Sequence, residues 1–162
     1  VLIGHLNISM LKFPKGTKGV HIDSLARNSL WEIGEDYSHG TGHGVGSFLG
    51  VHEGPQSISK ALVDVSLKPG MIISNEPGYY KNSKFGLRIE NLLCVKNSKI
   101  KDFLEFETLT LAPYRRNLIE VSLLNENQIL WINNYHKNVF KKLNKHLDSK
   151  VCRWLYKETR PI

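Results

Sequence analysis

The sequence predicts an α+β fold in which helices come first, a mostly antiparallel sheet follows, and helices close the chain. Three observations carry this. Ile22, Leu25, Ala26 and Leu30 recur at helical spacing, short apolar runs bounded by Gly, Pro and Asn fill the middle of the chain, and helical spacing returns from Asn125 onward. The 162 residues, 41% hydrophobic and 23% charged, suffice for a buried core and exclude a disordered tail, a collagen-like fibre or a membrane bundle. No apolar run approaches the roughly 18 residues that a spanning helix needs.

Taken in order, residues 1–10 read as the tail of a helix, broken at Phe13-Pro14-Lys15-Gly16. A second helix is predicted over 21–33, with Gly34 as its stop. Strands and turns are predicted over 43–112. Met71-Ile72-Ile73 and Leu92-Leu93-Cys94-Val95 are the clearest runs, and Phe103 to Leu111 adds further alternation. From Asn125 the residues Ile129, Leu130, Ile132, Tyr135, Val139, Phe140 and Leu143 trace one apolar face, and Asn125 with Gln128 forms a capping box. A last short helix is predicted over 150–157. With no repeat and no low-complexity linker, we expect one structural unit, divided into a sheet and site region at 1–117 and a helical extension at 118–162.

Lys and Arg outnumber the acids 22 to 15, a formal charge of +7. The excess is spread out: residues 1–100 carry 11 basic and 8 acidic side chains, residues 101–162 carry 11 and 7. A nucleic-acid footprint clusters its cations, so no nucleic-acid partner is expected, and no membrane partner either. Cys94 and Cys152 are read as two reduced, largely buried thiols.

The chemistry concentrates between residues 39 and 91. His39-Gly-Thr-Gly-His43-Gly-Val-Gly46 sets two imidazoles four residues apart, the spacing of a helical zinc motif. Four glycines in eight residues, each costing about 1 kcal/mol inside a helix, require an extended or looped segment that approaches something closely. Val51-His52-Glu-Gly-Pro55 puts a third imidazole before a rigid turn. In Asn75-Glu76-Pro-Gly-Tyr-Tyr80 a carboxylate follows an apolar strand and faces a turn, where metal ligands and catalytic bases sit. Phe85-Gly-Leu-Arg88-Ile-Glu90-Asn91 brings a second carboxylate into a strand, with alternation placing Arg88 and Glu90 on one face. One imidazole with carboxylates is a hard donor set that suits Mn, although Zn and Co can occupy it. Three donors, His43, Glu76 and Glu90, are too few for a two-metal site.

These four motifs closely resemble the catalytic domain of the aminopeptidase P family, the Xaa-Pro aminopeptidases. Gly16-Thr-Lys-Gly19, Trp131-Ile-Asn-Asn-Tyr-His136 and Glu158-Thr-Arg-Pro-Ile162 extend the likeness over essentially the whole chain. The resemblance implies the pita-bread fold, truncated here at its N-terminal side, and a dinuclear Mn centre that releases the N-terminal residue from peptides with proline in second position. It implies metal ligation by His43, Glu76 and Glu90, catalytic roles for His52, Glu76 and His39, and a substrate pocket that holds His39 and His52. Arg88 and Tyr80 would orient the ligands. The family takes two further Asp ligands from a segment that would precede Val1. Neither Asp23 nor Asp36 stands in such a motif, so the chain alone is expected to bind metal weakly and to hydrolyse nothing. A homodimeric, cytoplasmic parent is expected. The alternative is a metal-free pita-bread module that binds peptides, or a pseudoenzyme.

Overall fold

The structure, a computed structural model, describes residues 1–48 and 50–162. Two compact units are present, Val1–Thr110 and Leu111–Ile162.

In the first unit, helix α1 (Leu2–Ser9) leads into a short strand β1 (Lys12–Pro14), then helix α2 (Gly19–Trp31). Strand β2 (Gly42–His43) pairs with β3 (Ser57–Ile58). Then follow β4 (Ile72–Asn75), β5 (Gly78–Lys81), β6 (Phe85–Arg88), β7 (Asn91–Asn97) and β8 (Phe103–Thr108). The main sheet has the order β1-β8-β7-β4 and is antiparallel throughout, with β2-β3 and β5-β6 as two separate hairpins.

Of the four residues whose spacing predicts α2, Ile22, Ala26 and Leu30 are buried, whereas Leu25 faces outward and is 38% exposed. Ile22 and Ala26 on α2 join Ile8, Ile58, Ile73, Leu93, Val95 and Leu104, and the rings of Phe13 and Phe106 meet at 5.0 Å. At about 25 cal/mol per Å² of apolar surface, each of these side chains contributes on the order of 1.5–3 kcal/mol. The two helices approach at Gly4, where a Cβ would collide with the carbonyl oxygen of Ala26. Buried Asn75 ties α1 to the end of β4 by donating to the His5 carbonyl (2.9 Å) and to Ser9 Oγ (3.0 Å).

Three local expectations are corrected. The break at Phe13-Pro14 is itself an edge strand, because Phe13 pairs with Leu104 and buries its ring, and Pro14 is tolerated at a sheet edge. Helix α2 begins two residues before the predicted 21, with Lys18 as its N-cap, and ends at Trp31. The last strand stops at Thr108: the Leu109 N–H still donates to the Leu92 carbonyl of β7 at 2.8 Å, but the Leu92 N–H turns to the Thr110 hydroxyl, and the ladder ends there.

In the second unit, helices α3 (Glu126–Leu143) and α4 (Ser149–Glu158) form as the capping signals require. Asn125 accepts from the Gln128 N–H at 2.9 Å, and Gln128 returns a 3.0 Å bond from the Asn125 N–H. Asp148 caps α4. Ile132, Tyr135, His136 and Val139 are buried, whereas Leu130, placed on the apolar face from sequence, points outward and is 58% exposed. Tyr114 N–H donates to His136 Nε2 at 3.1 Å, so that nitrogen must be unprotonated. Burial accordingly holds the His136 pKa below its ordinary value. Among the described residues no helix is long and apolar enough to cross a membrane.

Candidate metal centre

The segment after His39 is extended, and it runs antiparallel to β4. The Glu76 N–H donates to the Thr41 carbonyl (2.7 Å), the His43 N–H to Ser74 Oγ (2.9 Å), and the Val45 N–H to the Ile72 carbonyl (3.1 Å). Gly42 makes this approach possible, since a Cβ there would strike the Ser74 carbonyl oxygen. A Cβ at Gly44 would likewise strike the Glu53 carbonyl oxygen, so these two glycines are explained by backbone packing against backbone, while Gly46 makes room for the Glu53 carboxylate.

This register brings the two side chains together. His43 Nε2 lies 2.9 Å from Glu76 Oε1, and the Ser74 hydroxyl donates to the same oxygen at 2.9 Å. The other ring nitrogen, His43 Nδ1, is 2.9 Å from the Gly44 carbonyl, which can only accept a proton. In the neutral ring Nδ1 must then carry the hydrogen, so the Nε2 lone pair faces a carboxylate oxygen. Two acceptors at that distance repel unless a proton or a metal ion stands between them.

Arg88 reaches toward two carboxylates, with Nε 3.7 Å from Glu76 and 3.8 Å from Glu90. Glu90 is not in a strand as expected. Strand β6 ends at Arg88, which pairs with Gly78 in the hairpin, while Asn91 already pairs with Asn75 in the main sheet. Ile89 and Glu90 are the step between two sheets, and that step turns Glu90 toward Arg88. The His52 ring lies 4.3 Å from that of His43. His39 Nε2 and the Tyr80 hydroxyl are 2.9 Å apart at the rim. All seven residues singled out from sequence thus occur in two linked contacts, His43–His52–Glu76–Arg88–Glu90 and His39–Tyr80.

Among the described residues no three His, Cys, Asp or Glu side chains are gathered closely enough to hold a metal ion. The donors fit a hard divalent cation in kind, with one imidazole presenting its lone pair beside a carboxylate. Their number is small, and a guanidinium already lies between Glu76 and Glu90.

A buried network that no sequence motif announces lies beside this site. Arg27 is 1% exposed, and every one of its N–H groups is used. Nε and Nη2 bind Asp23 (2.7 and 3.3 Å), Nη1 binds Asp36 and the Tyr37 carbonyl (2.8 and 2.7 Å), and Nη2 also binds the His39 carbonyl at 2.8 Å. The guanidinium lies 3.9 Å over the Tyr37 ring. Burial opposes its charge, but the bonds to Asp23 and Asp36 outweigh this and hold its pKa above the ordinary value. Burial likewise pushes Asp36 up, and the bonds from Lys60 and Arg27 prevail and hold it well below the usual carboxylate range. The Tyr37 hydroxyl is pushed up to about 12 by burial. A second missed residue is His5, completely buried, whose Nε2 is 3.2 Å from Asn91 Nδ2 and whose carbonyl holds Asn75. It clamps the residues next to Glu76 and Glu90. The Asp23-x-x-x-Arg27 spacing was the one signal available, and on a helix that spacing reads as a surface pair.

Residues 1–97 match metallopeptidase family M24, and residues 102–162 match the C-terminal region of peptidase M24. The chain belongs to metallopeptidase family M24. Among its M24 relatives, a probable Xaa-Pro aminopeptidase P of Coprinopsis cinerea is 48% identical across 100% of this chain and 28% of its own length. Aminopeptidase P2 of Arabidopsis thaliana is 47% identical across 100% of this chain and 24% of its own length. An X-prolyl aminopeptidase from Caenorhabditis elegans, described as a cytosolic enzyme with a di-nuclear active site, superposes with a TM-score of 0.96 at 39% identity, over 100% of this chain and 28% of that one. The prolidase of Pyrococcus furiosus matches 68% of this chain and 31% of its own, with a TM-score of 0.57 at 30% identity. The fold is the pita-bread fold of M24 peptidases, here with mixed helices and strands, and this chain spans under a third of the length of each of these relatives.

Proposed function

We propose that this chain carries part of the active site of a dinuclear aminopeptidase that releases the N-terminal residue from peptides with proline in second position. The observation that carries this reading is the 2.9 Å approach of His43 to Glu76, with Arg88 reaching toward both Glu76 and Glu90, in a chain that superposes over its whole length on an X-prolyl aminopeptidase.

His43, Glu76 and Glu90 would hold the metal, Mn by preference for a hard donor set, with Zn or Co as substitutes. Two such ions supply Lewis acidity and acidify water at neutral pH. The protein's own groups do the rest. Glu76, fixed by Ser74 and by its backbone bond to Thr41, is placed to accept a proton from water. His52, ring to ring with His43, faces the same opening and can donate to the carbonyl oxygen as charge develops there, help worth about 10²- to 10⁴-fold. Arg88 steadies the Glu76 and Glu90 carboxylates from one side. His39 and Tyr80 hold each other at the rim, where substrate would enter. The bond before proline has no N–H, so the pocket can select the ring by shape while offering no acceptor.

On the same ground we infer a homodimeric, cytoplasmic protein. Exposed Leu118, Leu123 and Trp154 of the second unit are the kind of surface a second copy covers. The C. elegans relative is described as cytosolic.

The test compares Xaa-Pro-Yaa with Xaa-Ala-Yaa peptides in added Mn²⁺. A polypeptide carrying these residues releases the first amino acid from the proline peptide, and its Glu76→Gln variant does not. Equal cleavage of both peptides would overturn the specificity. The 162-residue chain alone turns over neither, because its three donors do not gather around one point; turnover by it at the rate of an intact enzyme would contradict that.

A further inference from the structure

Thr41 is fully buried and works in two directions. Its hydroxyl donates to Asp23 Oδ1 at 2.6 Å and meets the Tyr37 hydroxyl at 2.5 Å, while its carbonyl accepts the Glu76 N–H at 2.7 Å. Two residues earlier, the His39 carbonyl is held by Arg27 at 2.8 Å. One short segment is therefore fastened to the buried Arg27–Asp23 pair on one side and carries the backbone of Glu76 on the other.

We propose that Thr41 is a positioning residue of the candidate site, which transmits the fixed position of the Arg27–Asp23 pair to Glu76. The inference rests on the reading of Glu76 as a metal ligand. A hydroxyl donating to an ionised, buried carboxylate makes a stronger bond than one between neutral groups, so the anchor is stiff. The Asp23 carboxylate cannot shift to follow a displaced Thr41, because both its oxygens are also held by Arg27. Gly42 closes off the other direction, since movement of the segment toward β4 meets the Ser74 carbonyl. Glu76 needs this help because its own side chain has few restraints: one hydroxyl, one imidazole, and a guanidinium beyond hydrogen-bonding distance.

The experiment uses the 162-residue chain with Thr41→Val, which keeps the shape and removes the hydroxyl, and Thr41→Ser, which restores it. Amide exchange is read by NMR. Thr41→Val speeds exchange of the Glu76 amide about five- to tenfold, the factor an ordinary hydrogen bond is worth, while the Leu93 and Val95 amides stay as in the parent chain. Thr41→Ser returns Glu76 to the parent value. In a titration with MnCl₂ alone, Thr41→Val needs several-fold more Mn²⁺ than the parent for equal paramagnetic broadening at His43, and Thr41→Ser does not.

An unchanged Glu76 amide, a uniform increase across the core, or faster exchange with unchanged Mn²⁺ demand would each overturn the proposal. If Thr41→Val does not fold, Tyr37→Phe removes the second hydroxyl on Thr41 and gives the same local pattern at about half the size; no change there overturns the proposal as well. If Glu76→Gln leaves the broadening intact, the ligand reading fails, and the exchange data still judge Thr41 by themselves.

Discussion

Around Arg27, two carboxylates, Asp23 and Asp36, meet two cations, Arg27 and Lys60, at hydrogen-bonding distances of 2.6–2.8 Å for the shortest contacts. Around Arg88, two carboxylates, Glu76 and Glu90, meet a single cation at 3.7 and 3.8 Å, with the lone pair of His43 facing Glu76 as well. Both clusters belong to the first unit and are joined through Thr41. The first is closed: its charges balance, every N–H of Arg27 is used, and the Arg27–Asp23 pair at its centre is buried. The second is open: its guanidinium lies beyond hydrogen-bonding distance of both carboxylates, and Arg88 and Glu90 are about half exposed, at 49% and 45% of their side chains. Carboxylates held by close side-chain cations make a structural network, whereas loosely held carboxylates beside an imidazole are the donors to which we assign the cation. Asp23 and Asp36 are both committed to Arg27.

The largest test of this contrast is Arg27→Leu. Removing the buried cation leaves buried Asp23 uncompensated and Asp36 held by Lys60 alone, and costs about 3–5 kcal/mol in urea unfolding. A loss under about 1 kcal/mol would show that the network does not hold the loop.

Next comes pH. Burial pushes His5 down to about 4, and lowers His136 also, so both are neutral in the folded chain. A depressed histidine pKa means that the unfolded chain binds the extra proton. Stability is therefore full above about 6.5 and falls as pH drops from there toward 4, by up to about 1.4 kcal/mol per pH unit for each histidine. Asp36, also depressed, stabilises above the unfolded carboxylate value near 3.9 and gives up its contribution only below it, so it adds nothing to the slope in this window. His5→Gln flattens the slope between pH 6.5 and 4; an unchanged slope would mean that His5 is charged in the fold.

The smallest effect is expected for Arg88→Ala. This guanidinium is half exposed and beyond hydrogen-bonding distance, so its loss costs under about 1 kcal/mol in the same urea experiment. A cost comparable with that of Arg27→Leu would erase the distinction between the clusters.

The local signals were legible in the sequence. The Asn125/Gln128 capping box forms in both directions, and the glycine content of residues 39–46 correctly ruled out a helix. Long-range pairing was not legible. Strand β1 exists only because β8, ninety residues later, offers an edge to Phe13, and Glu90 leaves its expected strand because its neighbours belong to two different sheets. Helical spacing sets Asp23 and Arg27 on one side of α2 but says nothing about which face another loop will cover. Division also hid the charge. Cut at residue 100, the halves look alike, but residues 111–162 hold 10 of the 22 basic side chains and 4 of the 15 acids, a net +6, and the unit with the candidate site is left near neutral at +1.

We propose that the open cluster, and not the closed one, takes the metal. Titrating the isotope-labelled 162-residue chain with MnCl₂ and following paramagnetic broadening tests it directly, even at weak occupancy. Broadening is expected first at His43, Glu76 and Glu90, with Asp23 and Asp36 affected only at much higher Mn²⁺. Broadening that begins at Asp23 and Asp36, or that spreads over surface carboxylates with no preference for His43, would contradict it.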